Sequence, residues 1–358
     1  MKSISNDDII SLKKNGFTNV KSFFEQDEIF KLSKEIDKIY PDDIINSSQS
    51  LNEKIEKKAE SKINQDKFNY LVKGSNNDGT FGAPILGCSE LIDTFMQKLF
   101  NNLNFQKVCE NLVGKNFKIF TFHYRVLKPD AKRLMLHQDD FCQLSFQIPL
   151  NDITETDSST CFVEGSHLSK DFILNELFGG VDKYLPNILL KKCYKKYEAK
   201  KGDLGIFLNK TFHGTDIKKS KNYSKSIFIA LNAEGGHLHK KIYLAPDKTL
   251  YGENFKNSIG EQIFERLFEN NLLIKFNDKY FTYQDDHAVP KNLISLAKAK
   301  NPRSKREILC LDNTRQNKDN YVNQLIFNEH KVSAKTRLII FYLKIIVKSK
   351  NFIASIIR

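Results

Sequence analysis

The sequence predicts a mainly β fold with flanking helices, an antiparallel sandwich or jelly roll at its centre, and three observations carry that expectation. FKIFTFHYRVL, QLSFQIPL, STCFVEG, DLGIFL and SIFIALN, all between residues 117 and 232, are short runs rich in aromatic and β-branched residues, separated by turn-rich pieces. No helical pattern is regularly interposed between them, which argues against a parallel α/β sheet. Helical periodicity is confined to the segments on either side.

Taken in order, residues 6 to 40 begin with a helical pattern, pass through the strand-like GFTNVKSFF, and continue as QDEIFKLSKEIDKIY. In that last stretch Ile29, Phe30, Leu32, Ile36 and Ile39 share one helical face. Residues 45 to 66 are polar and read as a loop or an exposed helix. SELIDTFMQKLFNNLNFQKVCENLVG, residues 89 to 114, starts on Ser, stops at Gly and reads as helix throughout. After about residue 245 the strand signal fades, and GEQIFERLFENNLLIKF looks helical. The expected organisation is one domain over residues 1–245, an extension of uncertain and partly helical fold over 246–332, and a basic apolar helix over 333–358.

The chain has 358 residues, 40% of them apolar, enough for a substantial core. Its six cysteines show no CxxC pair, and MKSISNDDII lacks the apolar run of a secretory signal, so a reducing cytoplasm is the expected compartment. The net charge of +13 raises the question of nucleic acid or an anionic surface. Residues 301 to 358 hold 12 Lys and Arg against 4 Asp and Glu, so most of the excess sits in the tail. No nucleic-acid-binding motif accompanies it. The tail itself, TRLIIFYLKIIVKSKNFIASIIR, is apolar but broken by Lys344, Lys348 and Lys350, too short an uncharged run to span a bilayer. Two occupants suit it, a membrane surface to which it docks peripherally, or the domain or a second subunit on which it packs.

HQDD, residues 137 to 140, raises the question of a metal. A His followed two places later by an acidic residue is expected about once by chance in this composition and occurs once, so context has to carry the claim. On an extended segment His137 and Asp139 project from one face while Gln138 and Asp140 turn away. Among the eight histidines His213 stands out as a third ligand, because it follows the apolar run in GDLGIFLNKTFHGT and emerges where that strand meets polar sequence. Two imidazoles and one carboxylate leave coordination positions open, the arrangement of non-heme Fe(II) oxygenases, although Zn, Ni or Cu would also accept those ligands.

The order of NGFTNVKSFFEQDEIFKLSKEIDKI, HQDD, LSFQIPLNDITETDSSTCFVEGSH and GDLGIFLNKTFHGT resembles the phytanoyl-CoA dioxygenase (PhyH)-like family of Fe(II)/2-oxoglutarate-dependent oxygenases. The resemblance covers residues 14 to 234 in blocks. It implies a double-stranded β-helix, the cupin-like jelly roll, with iron held by His137, Asp139 and His213. It also implies 2-oxoglutarate as cosubstrate, O2 as oxidant, and release of succinate and CO2 as a small-molecule or carrier- or lipid-linked substrate is hydroxylated. Because Asp139 keeps the carboxylate that halogenating relatives lose, hydroxylation is expected over halogenation.

Thr215 falls where the family often has a hydroxyl that touches 2-oxoglutarate. The family's carboxylate-binding Arg, some ten residues past the distal His, is missing from DIKKSKNYSKS, residues 216 to 226. Lys225 is the expected replacement, Lys221 the second, and Arg125 on the strand before the metal segment a third. A lysine supplies charge without a bidentate fork. That substitution keeps open a jelly-roll ligand-binding protein without turnover. A cupin-like metalloenzyme without cosubstrate is disfavoured by the lack of a His pair within the main strands. His237 and His239 read as a surface pair, and His167 as a turn residue.

Overall fold

The computed structural model describes residues 1–46, 79–86, 89–129, 131–138, 144–157, 159–169, 194–232, 242–243, 260–261, 263, 273–276, 279–285 and 333–357. The sequence-predicted strands are β3 Lys118–Leu127, β4 Leu144–Pro149, β5 Thr160–Val163, β7 Leu204–Leu208 and β9 Ser224–Asn232. β1 Phe17–Val20 lies within the strand-like GFTNVKSFF, and β2 Thr80–Pro84, β6 Tyr194–Lys196 and β8 His213–Thr215 complete the set. A six-stranded sheet runs β1-β7-β4-β9-β3-β2 and a three-stranded sheet runs β6-β5-β8, with antiparallel pairing in both. The fold is mainly antiparallel β with flanking helices and a jelly-roll core.

All six residues of β4 are buried, so both faces of the large sheet are covered. Leu144, Phe146 and Ile148 point to the outer face with Ile227, Ile229 and Leu231 of β9, in the same cluster as the helices. Those helices are α1 Asn6–Asn15, α2 Gln26–Ile39, α3 Asp42–Asn46, α4 Glu90–Phe100 and α5 Leu103–Val113. The inner face meets the small sheet across an aromatic layer. Phe162 of β5 stacks on Phe17 of β1 at 4.4 Å and lies 5.3 Å from Phe207 of β7.

Local signals explain where the helices begin and end. Ser5 and Asp8 form a capping box at the start of α1, and Gly16, at φ 87°, closes it with its N–H on Leu12 O. Residues 89 to 114 hold two helices instead of one. Asn102 Oδ1 accepts from Phe105 N at 3.0 Å and caps α5, so an Asn pair that competes with helical hydrogen bonding breaks the run. Ile29, Leu32 and Ile36 of α2 are fully buried, whereas Phe30 is half exposed beneath the Lys34 and Lys201 ammoniums.

Beyond residue 240 the expectation of fading strands is corrected. β10 Ile242–Tyr243, β11 Leu273–Phe276 and β12 Lys279–Asp285 form a second three-stranded sheet, so the LIKF end of the helical-looking stretch is a strand. The alternating aromatics of KYFTYQD supply its partner. The tail is helical as expected, α6 Ala334–Ile357. No helix among the described residues is long and apolar enough to cross a membrane.

Candidate metal centre

His137 and His213, 76 positions apart in sequence, are directly opposed. His137 N donates to His213 O at 2.8 Å and His213 N donates to His137 O at 2.9 Å, a closed antiparallel pair. Their ring centroids lie 4.4 Å apart. The strand continues the clamp, with Thr215 N donating to Leu134 O at 2.9 Å and Leu134 N to Thr215 Oγ1 at 2.8 Å. Gly214 is what permits this approach, since a Cβ there would sit 2.6 Å from Leu134 O.

Each imidazole is oriented in the same way. His137 Nδ1 lies 2.8 Å from Met135 O, and His213 Nδ1 lies 2.8 Å from Thr211 O. A carbonyl can only accept, so Nδ1 carries a proton on both rings, which makes Nε2 the ring nitrogen that a metal would take. Behind His213 stand Phe207 at 5.3 Å and Phe162 at 6.4 Å, a dry apolar wall. Gln138 turns away, buried, with Nε2 donating to Lys210 O at 2.7 Å. Asp139, the carboxylate of the expected triad, lies outside the described residues, as do His237 and His239. His167 shapes the turn after β5, its Nε2 2.9 Å from Lys13 O.

Beside the pair, between the two sheets, is a cleft lined by Arg125 and Leu127 of β3, Gln147 of β4, Ser159 and Thr160 at β5, Thr215 of β8, and Ser224, Ser226 and Phe228 of β9. Thr215 is in phase with His213 and so shares its face. Arg125 lies with its guanidinium carbon 5.5 Å from the Phe228 ring, which His123 stacks on at 5.7 Å. Tyr124, between them in sequence, points the other way and is buried against Tyr40 and Phe81.

The donor set suits a small dicarboxylate. One guanidinium, a carboxamide and five hydroxyls face the cleft, and Ser159 Oγ, buried in its wall, has no hydrogen-bond partner among the described residues. The acid in the wall, Asp157, is turned to other partners. Its carboxylate accepts from Thr154 N and Oγ1 and from Ser220 Oγ, and pairs with the fully buried Lys218 Nζ at 3.4 Å. Burial alone would raise the Asp157 carboxyl, but these hydrogen bonds and Lys218 hold it below the usual value.

Lys225 is placed elsewhere. In β9 it is in phase with Ile227 and Ile229, not with the cleft-lining Ser224 and Ser226, and its Nζ lies 2.8 Å from Asp37 of α2 and 3.8 Å from Asp42 of α3. Lys221 is exposed. The two expected cosubstrate contacts are thus separated, Thr215 lining the cleft and Lys225 bound on the helix side. Sequence reasoning assigned none of Ser159, Gln147 and Ser226 to the site, and read Ser159 as a turn residue that shapes its loop. Lys225 is in phase with Ile227, Ile229 and Leu231, and the structure turns that face toward the helices.

A family model described as Phytanoyl-CoA dioxygenase (PhyH) matches residues 12–226. A curated relative, Dioxygenase cdmD of Talaromyces verruculosus, is 22% identical over 244 residues, covering 63% of this chain and 73% of that protein. Among solved structures, HygX from Streptomyces hygroscopicus with nickel, 2-oxoglutarate and hygromycin B bound is 13% identical, covers 64% of this chain and 88% of its own, and has a TM-score of 0.45. AviO1 from Streptomyces viridochromogenes Tue57 is 15% identical, with 66% and 98% covered and a TM-score of 0.45.

Proposed function

Because this chain belongs to the phytanoyl-CoA dioxygenase (PhyH) family, whose enzymes use Fe(II), 2-oxoglutarate and O2, we propose that it hydroxylates a small-molecule or carrier- or lipid-linked substrate. In this reading His137, Asp139 and His213 hold the iron, and Arg125, in place of Lys225 or Lys221, holds the far carboxylate of 2-oxoglutarate. The observation that carries it is the opposed imidazole pair, each ring fixed through Nδ1, beside a hydroxyl-lined cleft with one guanidinium.

Bound iron would supply open coordination positions and the oxidising chemistry. The protein's own contribution is placement. Met135 O and Thr211 O fix the orientation of both rings through Nδ1, and the strand pair fixes their separation. Phe162 and Phe207 keep water from one side of His213. Arg125 offers the planar fork that a lysine lacks, with Ser159 Oγ as a nearby hydroxyl donor in the same wall. An arginine in the cleft removes the reason for preferring a binding protein without turnover.

Anaerobic titration with Fe(II) and 2-oxoglutarate tests the assignment. Wild type is expected to give the weak visible band of the chelate, and His213→Ala to lose it. Arg125→Ala should weaken 2-oxoglutarate at least about thirtyfold with Fe(II) binding retained, as expected when one partner of a buried charge pair is lost. Lys225→Ala should change it by less than about threefold. A band that survives His213→Ala sinks the metal assignment, and an unchanged affinity in Arg125→Ala sinks the cosubstrate one.

A further inference from the structure

We propose that α6 docks the protein on the surface of an anionic lipid bilayer. The helix has two apolar faces. One is packed, with Thr336, Ile339, Ile340 and Leu343 buried, and Thr336 Oγ1 donating 2.8 Å to Glu164 O, the first residue after β5. At about 100° per residue the opposite side carries Leu338, Phe341, Ile345, Phe352 and Ile356 in a stripe about 60° wide. All five are exposed, Phe341 to 63% and Phe352 to 67%. An apolar stripe of this length in water is unusual for a protein that has nothing to place on it.

Charge identifies the occupant. Residues 334 to 357 contain five basic residues and no acidic one. Arg337, Lys344 and Lys348 form a row along one border of the stripe, between the exposed face and the packed one. A second copy joined through the same stripe would bring like-charged rows together with no carboxylate on the helix to offset them. An anionic headgroup layer complements the row, while the stripe reaches the acyl boundary and the lysine stems extend outward. The helix, about 36 Å long at 1.5 Å per residue, would lie flat, with the domain held above it by the packed face.

The test uses the full chain and its lack of tryptophan. Phe341→Trp introduces a single emitter on the stripe without touching the packed face. With vesicles of phosphatidylcholine and about one-third phosphatidylglycerol, the protein is expected to co-sediment, and the Trp emission to shift to the blue and be quenched by brominated acyl chains. Vesicles of phosphatidylcholine alone should bind far less, added salt should release the protein, and Lys344→Gln and Lys348→Gln should each weaken binding about fivefold. Equal partitioning to both vesicle types, or none, overturns the proposal. So does emission already blue without lipid, whether light scattering then gives a dimer, which makes a second copy the occupant, or a monomer, which makes it another part of this chain.

Discussion

Gly214→Ala is the sharpest probe of the metal centre, because it adds one methyl group between the two ligand-bearing strands and touches no ligand. The new Cβ would sit 2.6 Å from Leu134 O, 3.0 Å from Leu136 N and 3.0 Å from Met135 C, all backbone atoms that no side-chain rotation can clear. The shortest of these is about 0.4 Å inside the 3.0 Å that Cβ contacts essentially never breach, so the strand before His137 must move outward. Four backbone-anchored hydrogen bonds hold that strand, two in the His137–His213 pair and two between Leu134 and Thr215. Overpacking of this kind costs about 1–3 kcal/mol. A shift of that size also approaches the roughly 0.5 Å tolerance of a metal site, so affinity should fall about tenfold or more. Thermal melting and anaerobic Fe(II) titration read the two effects. Gly82→Ala is the control, because its Cβ would meet nothing closer than Tyr124 O at 4.0 Å. If Gly214→Ala binds Fe(II) as wild type does and melts with Gly82→Ala, the close apposition of the two strands does not govern the site.

Asp203 ties the turn after β1 to the start of β7 by accepting from Ser22 N, Lys200 N, Asn19 Nδ2 and Lys21 Nζ. Burial alone would raise its carboxyl, but those bonds hold it below the ordinary value, so its stabilisation is complete above the unfolded pKa near 4 and is lost as pH falls through the folded one. Asp203→Asn should therefore cost about 1.5–3 kcal/mol at pH 7 in urea unfolding, with the gap to wild type closing below about pH 4; a gap independent of pH would exclude the charge as its cause. Removing Lys218 from its buried pair with Asp157, as in Lys218→Met, should cost about 3 kcal/mol, and Asp157→Leu added to it should recover part of that loss in a double-mutant cycle. Additive losses would mean the pair is not coupled. Burial pushes the Cys161 thiol up to about 12, so it should resist iodoacetamide at pH 8 until the protein is unfolded. Rapid labelling of the native chain at that position would contradict its buried place in β5.

The strands of the jelly roll were legible in the sequence because period-two alternation of bulky residues is a local property. So was the helical tail, and so was the direction of Gln138, opposite to His137. The break between α4 and α5 was readable in principle from the consecutive Asn101 and Asn102, but the surrounding apolar periodicity masks it. The strand over 273–276 was not readable from its own residues, because LIKF suits a helix equally well until β12 offers it a partner.

What the sequence by itself determined is the principal strands of the jelly roll and the helical segments flanking them, the motif order that marks the family, and two histidines suited to a metal. Tertiary structure decided which faces look inward. Alternation groups Arg125 with His123, and Lys225 with Ile227, but it does not say which group meets the small sheet and which meets the helices, since both faces of the large sheet are buried. Only the tertiary arrangement that brings Asp37 of α2 to Lys225 turns that side chain to the helix side and leaves Arg125 in the cleft. The meeting of His137 with His213 has the same origin, a long-range strand pair whose partner no local pattern specifies.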